Sequence, residues 1–230
     1  MNSTFLKWIA IITMTIDHIG LYLIDPSVHL LMYNVLRSVG RIAFPLFAFF
    51  IAQGFMHTRD LKKYFTRLFV FALAIEFFLF IYFLFTKELY MVVANVFWPL
   101  VFGLLAIIFV STKKPLYIVI GLSLIILADF LGFPYGGYGV ATVLVFAFVK
   151  PFYKQALYFV LINLLYIDYP LVYLLPNYHL KYDNPIQWFA LLALIPIYFY
   201  NGKKGKMNSY FFYIYYPLHL VVILGIAFLR

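Results

Sequence analysis

Four clusters of lysine and arginine punctuate a chain that is otherwise almost continuously apolar. The stretches between them are long enough for helical hairpins across a bilayer. The clusters are Arg59 to Arg67 with Lys62 and Lys63 between them, Lys113–Lys114, Lys150 with Lys154, and Lys203–Lys204 with Lys206. A spanning helix takes ~20 predominantly apolar residues, and hydrocarbon admits only structures that satisfy every backbone N–H and C=O internally. Of the 230 residues 66% are hydrophobic and 11% are charged, against about 25% charged in a soluble domain. That leaves no room for a sizeable extramembrane domain. The chain therefore predicts an all-α, polytopic integral membrane protein of about nine transmembrane helices, folded as one domain over 1–230.

The spans read as 5–24, 38–56, 66–86, 90–111, 115–131, 138–150, 154–175, 186–201 and 209–228. An even number of crossings between clusters lets all four face the cytoplasm together, joined by Lys7 at the start of the first span. The N-terminus is then inside and Arg230 outside. The formal net charge of +9 follows from this topology, so the expected partners are membrane lipids and not nucleic acid. The segment 138–150 is too short to cross alone. Either Gly136-Gly137-Tyr138-Gly139 folds partly into the membrane, or this is a half-helix covered by its neighbours. The outer loop from Asp168 to Pro185 is rich in Tyr, Pro and Asn and has the length of a lid. No internal repeat and no inverted pair of broken helices appears, so the usual transporter signature is missing.

Against this apolar background Asp17, His18, Arg37, Arg41, Glu76, Asn95, Asp129 and His219 all fall in the middle or outer part of the membrane. Intramembrane ionisable groups are costly and are functional candidates by default. The bland alternative is a set of ion pairs and interhelical hydrogen bonds that hold the bundle. Histidine is the side chain suited to accepting and returning a proton near neutral pH. His18 is the first candidate base and His219 the second. Neighbouring side chains on a helix diverge by about 100°, so Asp17 is not expected to bond His18 directly. It would orient or stabilise an imidazole from another direction. Arg37, Arg41 or Asn95 would stabilise an oxyanion, and Glu76 completes the polar set.

Lys7 and His18 lie eleven positions apart, which comes to three turns plus roughly 20°, so they share a face of the first helix at a separation of roughly 16 Å. The stretch Gly54-Phe55-Met56-His57-Thr58-Arg59-Asp60 with Lys62, Lys63 and Arg67 is denser in charge than topology requires. It reads either as a grip on a phosphate-rich ligand, with Thr58 capping a helix N-terminus, or as a loop resting on anionic lipid. Asn201-Gly202-Lys203-Lys204-Gly205 has the composition of a tight turn and would form the second wall of the same inner site. Cysteine is absent, and no metal-ligand spacing, nucleophile elbow or phosphate-loop motif occurs, so neither a metal site nor thiol chemistry is expected.

Several of these residues fall in longer matching segments. Met14-Thr15-Ile16-Asp17-His18-Ile19-Gly20, Gly40-Arg41-Ile42-Ala43-Phe44-Pro45-Leu46-Phe47-Ala48-Phe49, Gly54 with His57-Thr58-Arg59, Lys63-Tyr64 and Arg67-Leu68 resemble the TraX family. Tyr200-Asn201-Gly202, Phe212-Tyr213 and Tyr216-Pro217-Leu218-His219 continue the match in order. Glu76-Phe77-Phe78 departs from it, lacking the expected proline soon after the acid. The name-giving members acetylate the N-terminal residue of conjugative pilin. More distantly, the spacing of Lys7 and His18 is similar to that of the type-three membrane acyltransferases, where a basic residue and a histidine on the first span serve acyl transfer from coenzyme A.

The resemblance implies a single transmembrane acyltransferase domain in the bacterial cytoplasmic membrane. It would use acetyl-CoA as acyl donor and a protein or glycan acceptor at the outer face. His18 becomes the base or acyl relay, and Lys7, His57, Thr58, Arg59, Lys62, Lys63, Arg67, Asn201, Lys203 and Lys204 the donor contacts. The competing expectation is a transporter or lipid-handling protein that uses the same polar core as a proton relay. A non-catalytic assembly factor for a surface structure is a third.

Overall fold

The computed structural model describes residues 1–87, 95–168, 185–207 and 210–229. Every regular element among them is helical: α1 (Ser3–Leu23), α2 (Leu30–Gly40), α3 (Ala43–His57), α4 (Leu61–Thr86), α5 (Phe97–Ser111), α6 (Pro115–Phe130), α7 (Gly136–Phe148), α8 (Phe152–Asn163), α9 (Leu194–Tyr198) and α10 (Tyr210–Phe228). A π-helical turn, Leu164–Asp168, prolongs α8, and a 3-10 segment, Pro185–Ala193, leads into α9.

Local chemistry fixes several of the boundaries. The Asn2 side chain accepts from the Phe5 N–H and opens α1. Asp60 does the same for Lys63 N–H at the start of α4, as short acceptor side chains do for orphan donors. Pro115 sits in the first turn of α6, where its missing N–H costs nothing. Asp60 and not Thr58 is thus the cap of the basic loop; the Thr58 hydroxyl donates to the Asp60 carbonyl at 3.2 Å instead.

The expectation of nine spans is corrected in part. Among the described residues four helices are long and apolar enough to cross a membrane: Ser3–Leu23, Leu30–His57, Leu61–Thr86 and Phe211–Phe228. The other apolar helices, α5 to α8 and the Pro185–Tyr198 stretch, are shorter. At 1.5 Å per residue a 13-residue helix such as α7 covers roughly 20 Å of the ~30 Å hydrocarbon core. Of the two forms open to the Gly136–Gly139 segment it takes the half-helix, with all four residues inside α7. The span assigned to 38–56 begins eight residues earlier, because Leu30–Gly40 is helical and not an outer loop. The lid assigned to Asp168–Pro185 lies almost wholly outside the described residues.

The chain forms two compact units, one of Met1–Leu46 with Pro185–Arg230 and one of Phe47–Asn184, the boundary falling within α3. In the first, α1 packs on both α2 and α10. Gly20 and Gly40 make the α1–α2 approach possible: a Cβ on Gly20 would lie 2.8 Å from Leu36 Cβ, and one on Gly40 would overlap the Asp17 carboxylate. In the second, α5 packs on α4, α6 and α7, and α7 packs on α8, around Leu104, Ile107, Tyr138, Phe146 and Phe159.

Large apolar side chains remain outside, among them Phe77 and Phe85 on α4 and Val119 and Ile126 on α6. Water-exposed surfaces rarely carry apolar patches this extensive, while lipid-facing helices require them.

Candidate active site

His18 and His219, 201 positions apart in sequence, meet in the first unit with Nδ1 and Nε2 2.7 Å apart. Their rings are parallel within 5° and their centroids are 4.9 Å apart. That separation is the N···N distance plus two ring radii, so the imidazoles share a plane and the contact is an in-plane hydrogen bond, not a stack. Tyr215 lies parallel over the His219 ring at 5.2 Å, and Tyr22 and Tyr216 present edges to His18. Both histidines are buried.

His219 Nδ1 lies 3.0 Å from the Tyr215 carbonyl, and a carbonyl oxygen only accepts. Nδ1 therefore carries the proton, and in neutral His219 Nε2 is an acceptor. His18 Nδ1 must then be the donor, which leaves the lone pair of the pair on His18 Nε2. One turn earlier, Thr15 spends its hydroxyl proton on the Ile11 carbonyl at 2.9 Å. Its contact at 2.7 Å with the Tyr215 hydroxyl is thus donated by the tyrosine. This latch fixes α10 against α1 beside the imidazole pair.

Asp17 turns away from His18, as helix geometry requires, and its carboxylate meets two arginines and not the imidazole expected of it. Its Oδ2 accepts from Arg37 Nη1 at 2.6 Å and its Oδ1 from Arg41 Nη2 at 2.8 Å. Arg41 also gives Nε to the Arg37 carbonyl and Nη1 to Gln187 Oε1, each at 3.3 Å. His18 lies within the electrostatic reach of Asp17 and both guanidinium groups.

At the start of α1, Lys7 Nζ sits 5.6 Å from the centre of the Phe212 ring and close enough to Lys204 for the two charges to repel. Asn201 Oδ1 accepts from Lys203 N–H, closing the turn predicted there. That turn is stitched to the N-terminal end of α1 by Ser3 N–H to the Lys203 carbonyl at 3.0 Å, Gly205 N–H to Ser3 Oγ at 2.8 Å and Met207 N–H to Thr4 Oγ1 at 3.0 Å. The first unit therefore collects Lys7, Asp17, His18, Arg37, Arg41, Asn201, Lys203, Lys204 and His219.

Glu76, Asn95, His57, Thr58, Arg59, Lys62, Lys63 and Arg67 belong to the second unit. There, Glu76 Oε2 accepts from Trp98 Nε1 at 2.7 Å and from Asn95 Nδ2 at 3.0 Å. Asn95 gives its other amide proton to the Ala72 carbonyl at 2.8 Å. With both protons spent, Asn95 has none for an oxyanion; it bolts α4 to the start of α5. Arg59, Lys62 and Lys63 are exposed, and the Arg67 guanidinium rests over Tyr64. Asp129 accepts from Gly137 N–H at 2.8 Å and from the Tyr166 hydroxyl at 3.2 Å, and so anchors the half-helix. Among the described residues no group of acids and histidines could hold a metal ion.

A family model described as TraX protein matches residues 2–227. The chain belongs to the TraX family. It is 32% identical over 233 residues to a probable fimbrial assembly protein FimC of serogroup H1 from Dichelobacter nodosus, covering 95% of this chain and 92% of that one. It is also 48% identical over 50 residues to an uncharacterised protein of Rickettsia prowazekii (strain Madrid E), a match that covers 22% of this chain and 18% of the other. No solved structure matches the chain.

Sequence reasoning missed Tyr215, Gln187 and Trp98 as partners of the charged groups. Tyr215 had a signal, since it lies four residues before His219 and hence directly beneath it on α10. Gln187 is a lone amide in an apolar run, which marks it as polar glue without naming its partner. Trp98 gave none.

Proposed function

We propose that this chain is a membrane-embedded acetyltransferase that moves an acetyl group from cytoplasmic acetyl-CoA to an amine or hydroxyl at the outer face of the bacterial inner membrane. The bundle crosses with its N-terminus inside, and the shorter helices lie within the membrane beside the four long ones. The observation that carries the reading is the in-plane histidine pair, which leaves the unprotonated Nε2 of His18 deep in α1, the helix that carries Lys7 near its N-terminal end.

The donor set suits a phosphorylated carrier. Lys7 and Lys204 repel each other, and neither meets a carboxylate among the described residues, so together with Lys203 they favour a polyanion. Acetyl-CoA supplies the activated acyl group. His18 lies roughly 16 Å along the axis from Lys7, which separates a phosphate grip from a chemical centre. As the new N–C or O–C bond forms and the thioester C–S bond breaks, His18 Nε2 takes the proton of the attacking group and returns it to the departing sulfur. His219 holds the tautomer that leaves Nε2 able to do so. Asp17, held by two arginines, fixes α1 against α2.

The relative named for fimbrial assembly supports a pilin-like protein as acceptor. The test is mass spectrometry of pilin and envelope polymers from cells with and without this protein. The reading requires a species heavier by one acetyl group only where the protein is present; identical spectra would reject it. A transporter using the same histidines as a proton relay predicts no acetylated product.

A further inference from the structure

We infer that Arg37 is the seat for a carboxylate carried by the acceptor, so that the acetylated protein presents an acidic side chain beside the group that is modified. This rests on the acetyltransferase reading. Arg37 reaches Asp17 through Nη1 alone. Its Nε is buried and bonded to nothing, and among the described residues the side chain meets no second acceptor. The Nε and Nη2 protons lie on one edge of the guanidinium plane, the fork that receives a carboxylate through two parallel hydrogen bonds. A buried donor left without an acceptor is rare and calls for a reason.

The charge points the same way. Asp17 is shared between Arg37 and Arg41, at 2.6 and 2.8 Å, so one carboxylate serves two guanidinium groups and Arg37 is left under-neutralised. Its side chain is only 14% exposed, and a buried charge seeks a full partner. A singly charged, planar carboxylate matches that demand better than a doubly charged phosphate.

Position separates this seat from the donor grip. Arg37 lies seven residues into α2, roughly 10 Å from the end that adjoins the short loop after α1. Lys7 and the basic turn are at the opposite end of α1. Arg37 bonds Asp17 at 2.6 Å, and Asp17 is the residue before His18 on α1, so an acidic side chain docked at Arg37 brings the neighbouring amine or hydroxyl toward the segment that carries the base.

Two synthetic peptides with free N-termini test the inference, identical except for Glu or Gln at the second position, bound to the purified full chain in nanodiscs. The wild type should bind the Glu peptide about tenfold more tightly or better, the range of a charged hydrogen bond. Arg37→Gln should erase the difference while leaving acetyl-CoA affinity unchanged, and Arg37→Lys should keep only part of it. Asp17→Asn, which folds or fails independently of Arg37→Gln, should widen it because Arg37 then loses the carboxylate that faces it among the described residues.

Discrimination that survives Arg37→Gln would overturn the inference. So would loss of acetyl-CoA binding in that variant, which would make Arg37 a donor contact, or stronger competition by inorganic phosphate than by acetate. Glu preference without any acetyl transfer would leave the carboxylate seat standing and reject the acetyltransferase reading instead.

Discussion

Replacing His219 by glutamine and by alanine should give very different enzymes. Glutamine places a carbonyl oxygen where the histidine has Nε2, so it can still accept from His18 Nδ1 at the 2.7 Å seen in the pair. Alanine removes the acceptor and leaves a buried N–H with nothing to bond, at a cost of about 1–3 kcal/mol. That cost falls on the reactive tautomer, because His18 can escape it by carrying its proton on Nε2, the position that must be empty for catalysis. At 1.36 kcal/mol per decade the loss in rate is roughly 5- to 150-fold. The assay is release of CoA thiol from acetyl-CoA in the presence of a peptide amine. It reads cleanly here because the chain has no cysteine. Glutamine near wild-type and alanine down by this factor is the expected pattern. Equal, complete inactivity of both variants would make His219 the proton acceptor itself, and full activity of both would show that the pair plays no part.

Three further outcomes follow from the geometry. Lys7→Gln and Lys204→Gln should each weaken acetyl-CoA binding about two- to fivefold and flatten its dependence on salt, measured by isothermal titration at several ionic strengths, since exposed phosphate contacts are screened. Gly40→Ala should lower stability by about 1–3 kcal/mol in a thermal or chemical unfolding assay, because its Cβ would overlap the Asp17 carboxylate and force α1 from α2. Single cysteines at Lys63 and Lys204 should resist an impermeant thiol reagent in intact spheroplasts while one at Ser27 labels, and labelling at 63 or 204 from outside would invert the topology.

Much of the first unit was legible because its signals are local. Lys7 and His18 share a face through helix geometry alone, and the divergence of adjacent side chains already excluded a direct Asp17–His18 bond, although the expected imidazole partner of Asp17 proved to be Arg37 and Arg41. The arginines four apart were candidates because charge in an apolar helix is expensive. What could not be read was which distant group answers which. His18 finds His219 across 201 positions, and Arg41 finds Gln187 across 146; no periodicity carries that information. Helix length failed for a different reason. Hydropathy reports that residues avoid water, and a 13-residue half-helix sheltered by neighbours avoids it as well as a full span. The Leu30–Gly40 helix was missed because Asn34, Arg37 and Ser38 dilute its apolar pattern, although Arg37 turns to Asp17 on α1 and Ser38 spends its hydroxyl on the Asn34 carbonyl of its own helix.

The central claim is that the open nitrogen of His18 performs the proton transfer, and the most direct measurement compares wild-type protein with His18→Ala in the CoA-thiol assay, alongside acetyl-CoA binding to the same samples. Loss of a positioned base should lower the rate about 10²- to 10⁴-fold, with acetyl-CoA still bound at the wild-type affinity because the phosphate grip lies three turns away. A His18→Ala protein that transfers acetyl at near the wild-type rate would contradict the account.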